Sequence, residues 1–431
     1  MDLKPTKPLS GFIELLPAQQ RCFDECARRM QNVLRDCGYS RLDLPAIERA
    51  EVLTDKDNWD EIETQIFLFQ KGDTKMGLRY DGTVGLSRYV AGHMNDLTFP
   101  FYTYQFARNY RGERPQRGRY REFWQLDIDI LGVQNLSLNY DAEIVSTLLR
   151  VYESVADIVG AVKVKVGNRR FWNAMFAYLG LDEKQSRDAF VLIDKRDKIS
   201  DFVEGLIETV GESAANEINA VFTNGYRSFV GKTDKLDAAI AEMDRFINLL
   251  NAMGVKNAEI DVSIMRGHSY YTGIVFEFFS VDYPELPAVG GGGRYEDLVS
   301  KFSKTKIVGV GASIGVSRLL VALMEMGKID LSKWEKSVDV AVLVMGNDNL
   351  PYAMSVLNAL RDERIPSVAF LDTDKKFKSQ FEYSDKILAK YSMIIGEDEV
   401  KNNVVAVKDM KSGNQQTLPL SDAIKLVRKD V

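Results

Sequence analysis

Five arginines fall within eleven residues in the segment Arg111-Gly-Glu-Arg-Pro-Gln-Arg-Gly-Arg-Tyr-Arg121. A guanidinium presents a planar fork of donors that can grip two phosphate oxygens at once, and its face stacks on a purine. β-like runs flank the segment at 101–108 and 122–131, Pro115 and Gly118 shape a loop, and Glu113 stands among the cations. Such a loop is suited to clamp a nucleoside triphosphate. The competing reading is a solvated basic loop, the usual fate of a charge run.

Four further segments carry side chains or backbone suited to a ligand. Met265-Arg-Gly-His-Ser-Tyr-Tyr-Thr-Gly273 ends a strand on Arg266 and then offers Tyr270 and Tyr271, whose rings and hydroxyls fit a small polar ligand. Leu78-Arg-Tyr-Asp-Gly-Thr-Val84 places Asp81 and Thr83 where a cationic group could be met. Val289-Gly-Gly-Gly-Gly-Arg-Tyr295 lets backbone approach a ligand closely, although a flexible turn is the simpler reading. No Gly-Lys-Ser/Thr follows those glycines, so this is not a P-loop. Gly309-Val-Gly-Ala-Ser-Ile-Gly-Val-Ser-Arg318 matches a dinucleotide fingerprint only loosely, and the βαβ context that fingerprint needs is missing.

The elements that must position these groups follow from periodicity. Apolar residues at helical spacing predict a helix over 18–36, ended by Gly38. Short strands are expected at 65–69, 77–80, 101–108, 122–131 and 162–166, and again at 259–265 and 273–279. Between about 170 and 255 apolar residues recur at three and four, which predicts a helical insertion. Residues 331–337 form a charged linker. Beyond it strands alternate with helices, predicting a small α/β domain with a largely parallel sheet over 338–431.

Composition bounds the function. The 431 residues carry 56 basic and 62 acidic side chains, a net charge of −6, which excludes a globally basic nucleic-acid binder but not a local basic surface. Only two histidines are present, so a zinc enzyme built on several imidazoles is excluded, and no metal-ligand set is expected. Three cysteines, Cys22, Cys26 and Cys37, suit packing in a reducing compartment. No apolar run is long enough for a membrane span and no secretory leader opens the chain, so a cytoplasmic protein is expected.

Taken in order, these segments resemble the class II aminoacyl-tRNA synthetases, and among them the histidyl-tRNA synthetase family. Residues 39–52, with Pro45, resemble the dimer-forming motif 1; 110–125 resemble motif 2 and 309–319 motif 3. Segments 266–273 and 288–298 resemble the two histidine-specific motifs, and the tail resembles an anticodon-binding domain. The resemblance implies an α+β catalytic domain over 1–330, an antiparallel sheet flanked by helices and carrying the insertion, plus an anticodon-binding α/β domain over 338–431. It implies a homodimer that activates L-histidine with ATP and Mg2+, forms histidyl-adenylate and transfers the acyl group to tRNA(His). By the same resemblance Arg111 and Arg266 hold the α-phosphate and carboxylate oxygens. Glu113 reads the adenine, while Arg119 and Arg318 reach ATP. Asp81 and Thr83 hold the ammonium of histidine, and Gln125, Asp129, Tyr270 and Tyr271 complete its pocket. Asp81 and Asp129 stand where many bacterial members carry Glu, and His268-Ser269 replaces the more usual Leu-Asp. In the tail, Asp374-Lys-Lys-Phe-Lys378 offers a basic, aromatic-containing patch for tRNA.

Overall fold

The computed structural model of the chain describes residues 4–54, 64–196, 199–265 and 271–429. Two compact units emerge: Met1–Glu14 with Glu25–Ile329, and Leu15–Asp24 with Asp330–Val431.

The larger unit is built on an eight-stranded sheet. In chain order its strands are β1 (Ser40–Arg41), β5 (Phe101–Tyr110), β6 (Glu122–Val133), β7 (Val162–Asn168), β8 (Ala258–Ile260), β9 (Tyr271–Ser280), β10 (Gly290–Tyr295) and β11 (Ile307–Ile314). They lie in the order β1-β5-β6-β11-β10-β9-β7-β8. The six central strands pair antiparallel and only the two edge strands, β1 and β8, pair parallel. A separate three-stranded sheet joins β2 (Ile47–Arg49), β3 (Leu68–Lys71) and β4 (Thr74–Leu78).

Strand β6 shows why this sheet has a polar and an apolar face. Side chains alternate along a strand, and here Leu126, Ile128 and Ile130 alternate with Gln125, Asp127 and Asp129. All six are buried. The apolar set faces the layer that includes the helices Asn139–Glu153 and Val316–Glu325, which pack against β6 and β11. The polar set is left on the opposite face.

The glycine-rich segments are central strands rather than turns. Gly290 to Gly293 pair with β9 on one side and β11 on the other. A Cβ on Gly292 would collide with the Gly311 carbonyl and with Ala312; one on Gly309 would enter the Tyr295 ring, and one on Gly311 would strike Asp129. Glycine here clears space for close backbone and for neighbouring side chains, so the segments lack the alternation by which a strand is read from sequence.

Among the described residues, five α-helices occupy the stretch between β7 and β8: Arg169–Tyr178, Glu183–Asp194, Phe202–Val210, Glu212–Asn224 and Asp234–Ala252. Asn168, Asp182 and Thr233 cap three of them through side-chain oxygens that accept N–H groups of the first turn. Trp172 is fully buried and its indole donates to the Val262 carbonyl at 2.7 Å.

The smaller unit holds β12 (Val340–Val344), β13 (Ser367–Phe370), β14 (Tyr391–Ile395), β15 (Val404–Asp409) and β16 (Gln415–Pro419) in the order β13-β12-β14-β15-β16. Its sheet is mixed rather than largely parallel: β12 pairs parallel with β13 and β14, while β14-β15 and β15-β16 pair antiparallel. The connection from β14 to β15 holds only the short helix Glu397–Asn402 and its caps, and a parallel crossover needs roughly a dozen residues or more. Lys411-Ser412-Gly413 turns the β15-β16 hairpin, with Gly413 at φ 77°. A single helical turn, Ser332–Glu335, lies within the expected linker. Among the described residues no helix is long and apolar enough to cross a membrane.

Because Gly292 packs backbone against backbone, Gly292→Ala has no flexible neighbour to displace. It should lower stability by about 1–3 kcal/mol, read as an earlier urea midpoint with an unchanged slope.

Candidate active site

The polar face of the large sheet opens into a cleft lined by side chains of both signs. The expected residues Asp81, Thr83, Arg111, Glu113, Arg119, Gln125, Tyr271 and Arg318 all line it. Arg266 and Tyr270 lie outside the described residues. Asp129 does not line the cleft but sits beneath it, against Tyr295.

Part of the cleft is cationic. Arg111 is wedged between two rings, its guanidinium carbon 4.3 Å from the Tyr80 centroid and 5.1 Å from that of Phe123. Its Nε donates to the Tyr80 carbonyl at 3.3 Å. Two ring faces and a carbonyl fix the fork in one orientation, which leaves little rotamer entropy to lose on binding an anion. Glu113 stands between Arg111 and Arg119, 3.8 Å from each. Arg318 extends from the helix Val316–Glu325 and donates to the carbonyls of Gly118 at 2.8 Å and Ala288 at 3.1 Å. It thereby ties the arginine-rich loop to the segment before β10.

Near Arg111 the cleft holds a cluster of carboxyls. Asp81 Oδ1 accepts the backbone N–H groups of Thr83 at 3.0 Å and Val84 at 3.1 Å, capping the helix Thr83–Gly92. Its Oδ2 is buried and without a hydrogen-bond partner. Gln125 donates to Asp127 Oδ1 at 2.6 Å. The Tyr295 hydroxyl donates to Asp129 Oδ1 at 2.8 Å. Burial pushes all three carboxyls up: Asp81 above its ordinary value, Asp127 to about 7 and Asp129 to about 8. Their mutual repulsion adds to the rise in Asp127 and Asp129, while the Gln125 amide and the Tyr295 hydroxyl oppose it. A corner that withholds solvent from three carboxyls, with one oxygen unpaired, is built to be completed by a cation.

The lining also includes residues that the sequence reading did not single out, among them Asp127, Phe123 and Tyr295. The period-2 run Gln125-Leu-Asp127-Ile-Asp129 already places Asp127 on the same face as its two neighbours. Phe123 leads the same alternation. Tyr295 carries no such signal, because glycines precede it.

The raised carboxyls have a consequence for stability. An ordinary aspartate, at 3.8, loses its proton in the unfolded chain well before Asp127 and Asp129 do in the fold. Between about pH 4 and 8 the folded state therefore binds more protons, and stability is fully present at the acid end and declines as pH rises. The urea midpoint of the ligand-free protein should fall from about pH 5 to 8, and Asp127→Asn should flatten that decline. Parallel pH profiles for the two proteins would contradict the assignment.

Residues 11–319 match the family model described as histidyl-tRNA synthetase, and 339–430 match that of an anticodon binding domain. The chain is 36% identical over 441 residues to a histidine–tRNA ligase of Clostridium tetani, with 99% of both chains covered. It is 36% identical over 438 residues to that of Finegoldia magna, covering 97% of this chain and 99% of the relative. The crystal structure of histidyl-tRNA synthetase from Nostoc sp. PCC 7120 superposes with a TM-score of 0.85 at 27% identity, over 100% of both chains. A family match across nearly three quarters of the chain, and relatives aligned over almost all of it, agree with the cleft: this chain belongs to the histidyl-tRNA synthetase family.

Proposed function

We propose that the cleft is where this chain, as a histidine–tRNA ligase, activates L-histidine with ATP before transfer to tRNA(His). The observation that carries this reading is Asp81, a buried carboxyl with one unpaired oxygen, in the same cleft as a rigid arginine. The two charges suit the two charged groups of an amino acid. Asp81 and Thr83 take the ammonium of histidine, while Gln125, Asp127 and Tyr271 line the space for its imidazole, backed by Tyr295 on Asp129. Arg111, joined by Arg266, holds the α-phosphate and the amino-acid carboxylate.

A carboxylate oxygen of histidine attacks the α-phosphorus, the bond to the departing pyrophosphate breaks, and histidyl-adenylate results. A terminal hydroxyl of the tRNA then attacks the acyl carbon and AMP leaves. Two anions must meet in the first step, so preorganised guanidinium groups carry the electrostatic burden, at a few kcal/mol for each well-placed donor. Phe123 offers a ring face for adenine within reach of Glu113, and Arg119 and Arg318 reach the outer phosphates. Among the described residues no cluster of three or more His, Cys, Asp or Glu could cage a metal ion. Mg2+ fits as the companion of ATP, bound chiefly by phosphate and water as is usual for this ion, where it neutralises phosphate charge.

In this reading residues 1–330 are the catalytic domain, 331–337 a linker, and 338–431 the tRNA anticodon-binding domain. Lys375 and Lys378 are exposed there, whereas Phe377 is half-buried and packs on Phe381, 4.8 Å between centroids, so the patch offers charge rather than a stacking ring. Exposed Ile47 and Phe69, which the strand register puts on one face of the three-stranded sheet, give the homodimer an apolar surface to bury. Cysteines outside any disulfide, as at Cys22, Cys26 and Cys37, suit the cytoplasm.

ATP–pyrophosphate exchange with purified protein should proceed with histidine and with no other amino acid. Arg111→Ala should reduce it by about a hundredfold or more; exchange with a different amino acid, or an unaffected Arg111→Ala, would overturn the reading. Charge reversal at Lys375 and Lys378 should weaken tRNA binding and flatten its salt dependence by about one to two units of slope. Wild-type binding in that variant would remove the patch from the account.

A further inference from the structure

Both chain neighbours of Tyr295 are held by charged groups from other elements. Arg294 lies where the β9–β10 register shifts, and it is 5% exposed. It donates to Asp141 through Nε at 3.1 Å and through Nη2, to the Leu136 carbonyl at 2.8 Å and to the Ser137 carbonyl at 3.1 Å. On the other side, Glu296 accepts from Arg170 Nη2 at 2.8 Å.

Arg170 is the second residue of the helix Arg169–Tyr178, and its backbone N–H is capped by Asn168 Oδ1 at 2.8 Å. Its other terminal nitrogen donates to Glu242 Oε1 at 2.6 Å, and Asn168 Nδ2 donates to Glu242 Oε2 at 2.8 Å. Glu242 belongs to Asp234–Ala252, the helix that precedes β8. A Cβ on Gly273 would lie 3.5 Å from the Arg170 guanidinium carbon and 3.5 Å from Arg294 Cδ. Arg170 therefore crosses the backbone of β9 two residues beyond Tyr271, and grips the chain at Glu296, one residue past the end of β10.

We propose that Arg170 is a positioning residue for histidine recognition: by holding Glu296 it sets Tyr295 against Asp129, and by holding Glu242 it anchors that setting to a helix of the insertion. The inference rests on the reading that histidine occupies the cleft beside Tyr271 and Tyr295. The geometry is the kind in which function outweighs stability. Arg170 is 40% exposed and its partners 17% and 28%, a burial at which ion pairs contribute modestly to folding. A displacement of a binding group by an ångström, by contrast, is costly to a reaction that depends on placement.

The test is pyrophosphate exchange by the full-length protein. Arg170→Met keeps much of the side-chain stem over Gly273 and removes both charge pairs. The KM for histidine should rise about tenfold, with kcat, the KM for ATP and the melting temperature near wild type. Arg170→Lys, which keeps one of the two pairs, should fall between. If Arg170 acts through Glu296, the double variant Arg170→Met/Glu296→Gln should match Arg170→Met alone rather than add to it. An unchanged histidine KM overturns the proposal. So does a parallel rise for both substrates with a lowered melting temperature, which would mark a merely structural role. Tyr295→Phe separates the underlying reading from the proposal. If it leaves the histidine KM unchanged, the placement of histidine is wrong and the proposal falls with it. If it raises that KM while Arg170→Met does not, only the clamp is wrong.

Discussion

Burying a carboxylate is costly unless a cation or a set of donors replaces the lost water, and this fold buries three in one corner. Asp81, Asp127 and Asp129 all have burial as the leading cause of their raised carboxyl values. Each is met only in part. Asp81 uses one oxygen to cap a helix and keeps the other unpaired, Asp127 has the Gln125 amide, and Asp129 has the Tyr295 hydroxyl. Folding alone gains little from such a corner. It makes sense as a seat whose last partner arrives with a ligand, and the ammonium of an amino acid is the right size and charge.

Much of the surrounding architecture follows from making that corner possible. β6 must present polar side chains to one face while its apolar set packs beneath helices, which an antiparallel strand does at no extra cost. Its neighbour β11 gives up side chains at Gly309 and Gly311, and the space is filled by the Tyr295 ring and by Asp129. Beside that corner Arg111 is pinned between the Tyr80 and Phe123 rings, so the cation of the cleft is as fixed as its carboxyls.

Sequence carried part of this. The β-like run at 122–131 located β6, and the arginine-rich loop announced an anion site from residue types alone. Other features were hidden for physical reasons. The glycine strands have no side chains to alternate, so β10 read as a turn although it sits in the middle of the sheet. The mixed sheet of the tail depends on a connection too short for a crossover, a matter of length rather than pattern. Asp129 is held by the Tyr295 hydroxyl, 166 positions away in sequence. Arg170 lies in a stretch that reads only as an amphipathic helix, and its partners are 72 and 126 residues distant. Long-range pairings of this kind leave no local trace.

The claim on which the account turns is that the acidic corner is a seat for the ammonium of histidine. Calorimetric titration of the purified protein with histidine, and with the des-amino analogue imidazolepropionate, tests it directly. Loss of the ammonium should weaken binding by about a hundredfold or more, and Asp81→Asn should abolish the difference between the two ligands. Equal affinity of the wild-type protein for both would show that the corner serves some other purpose.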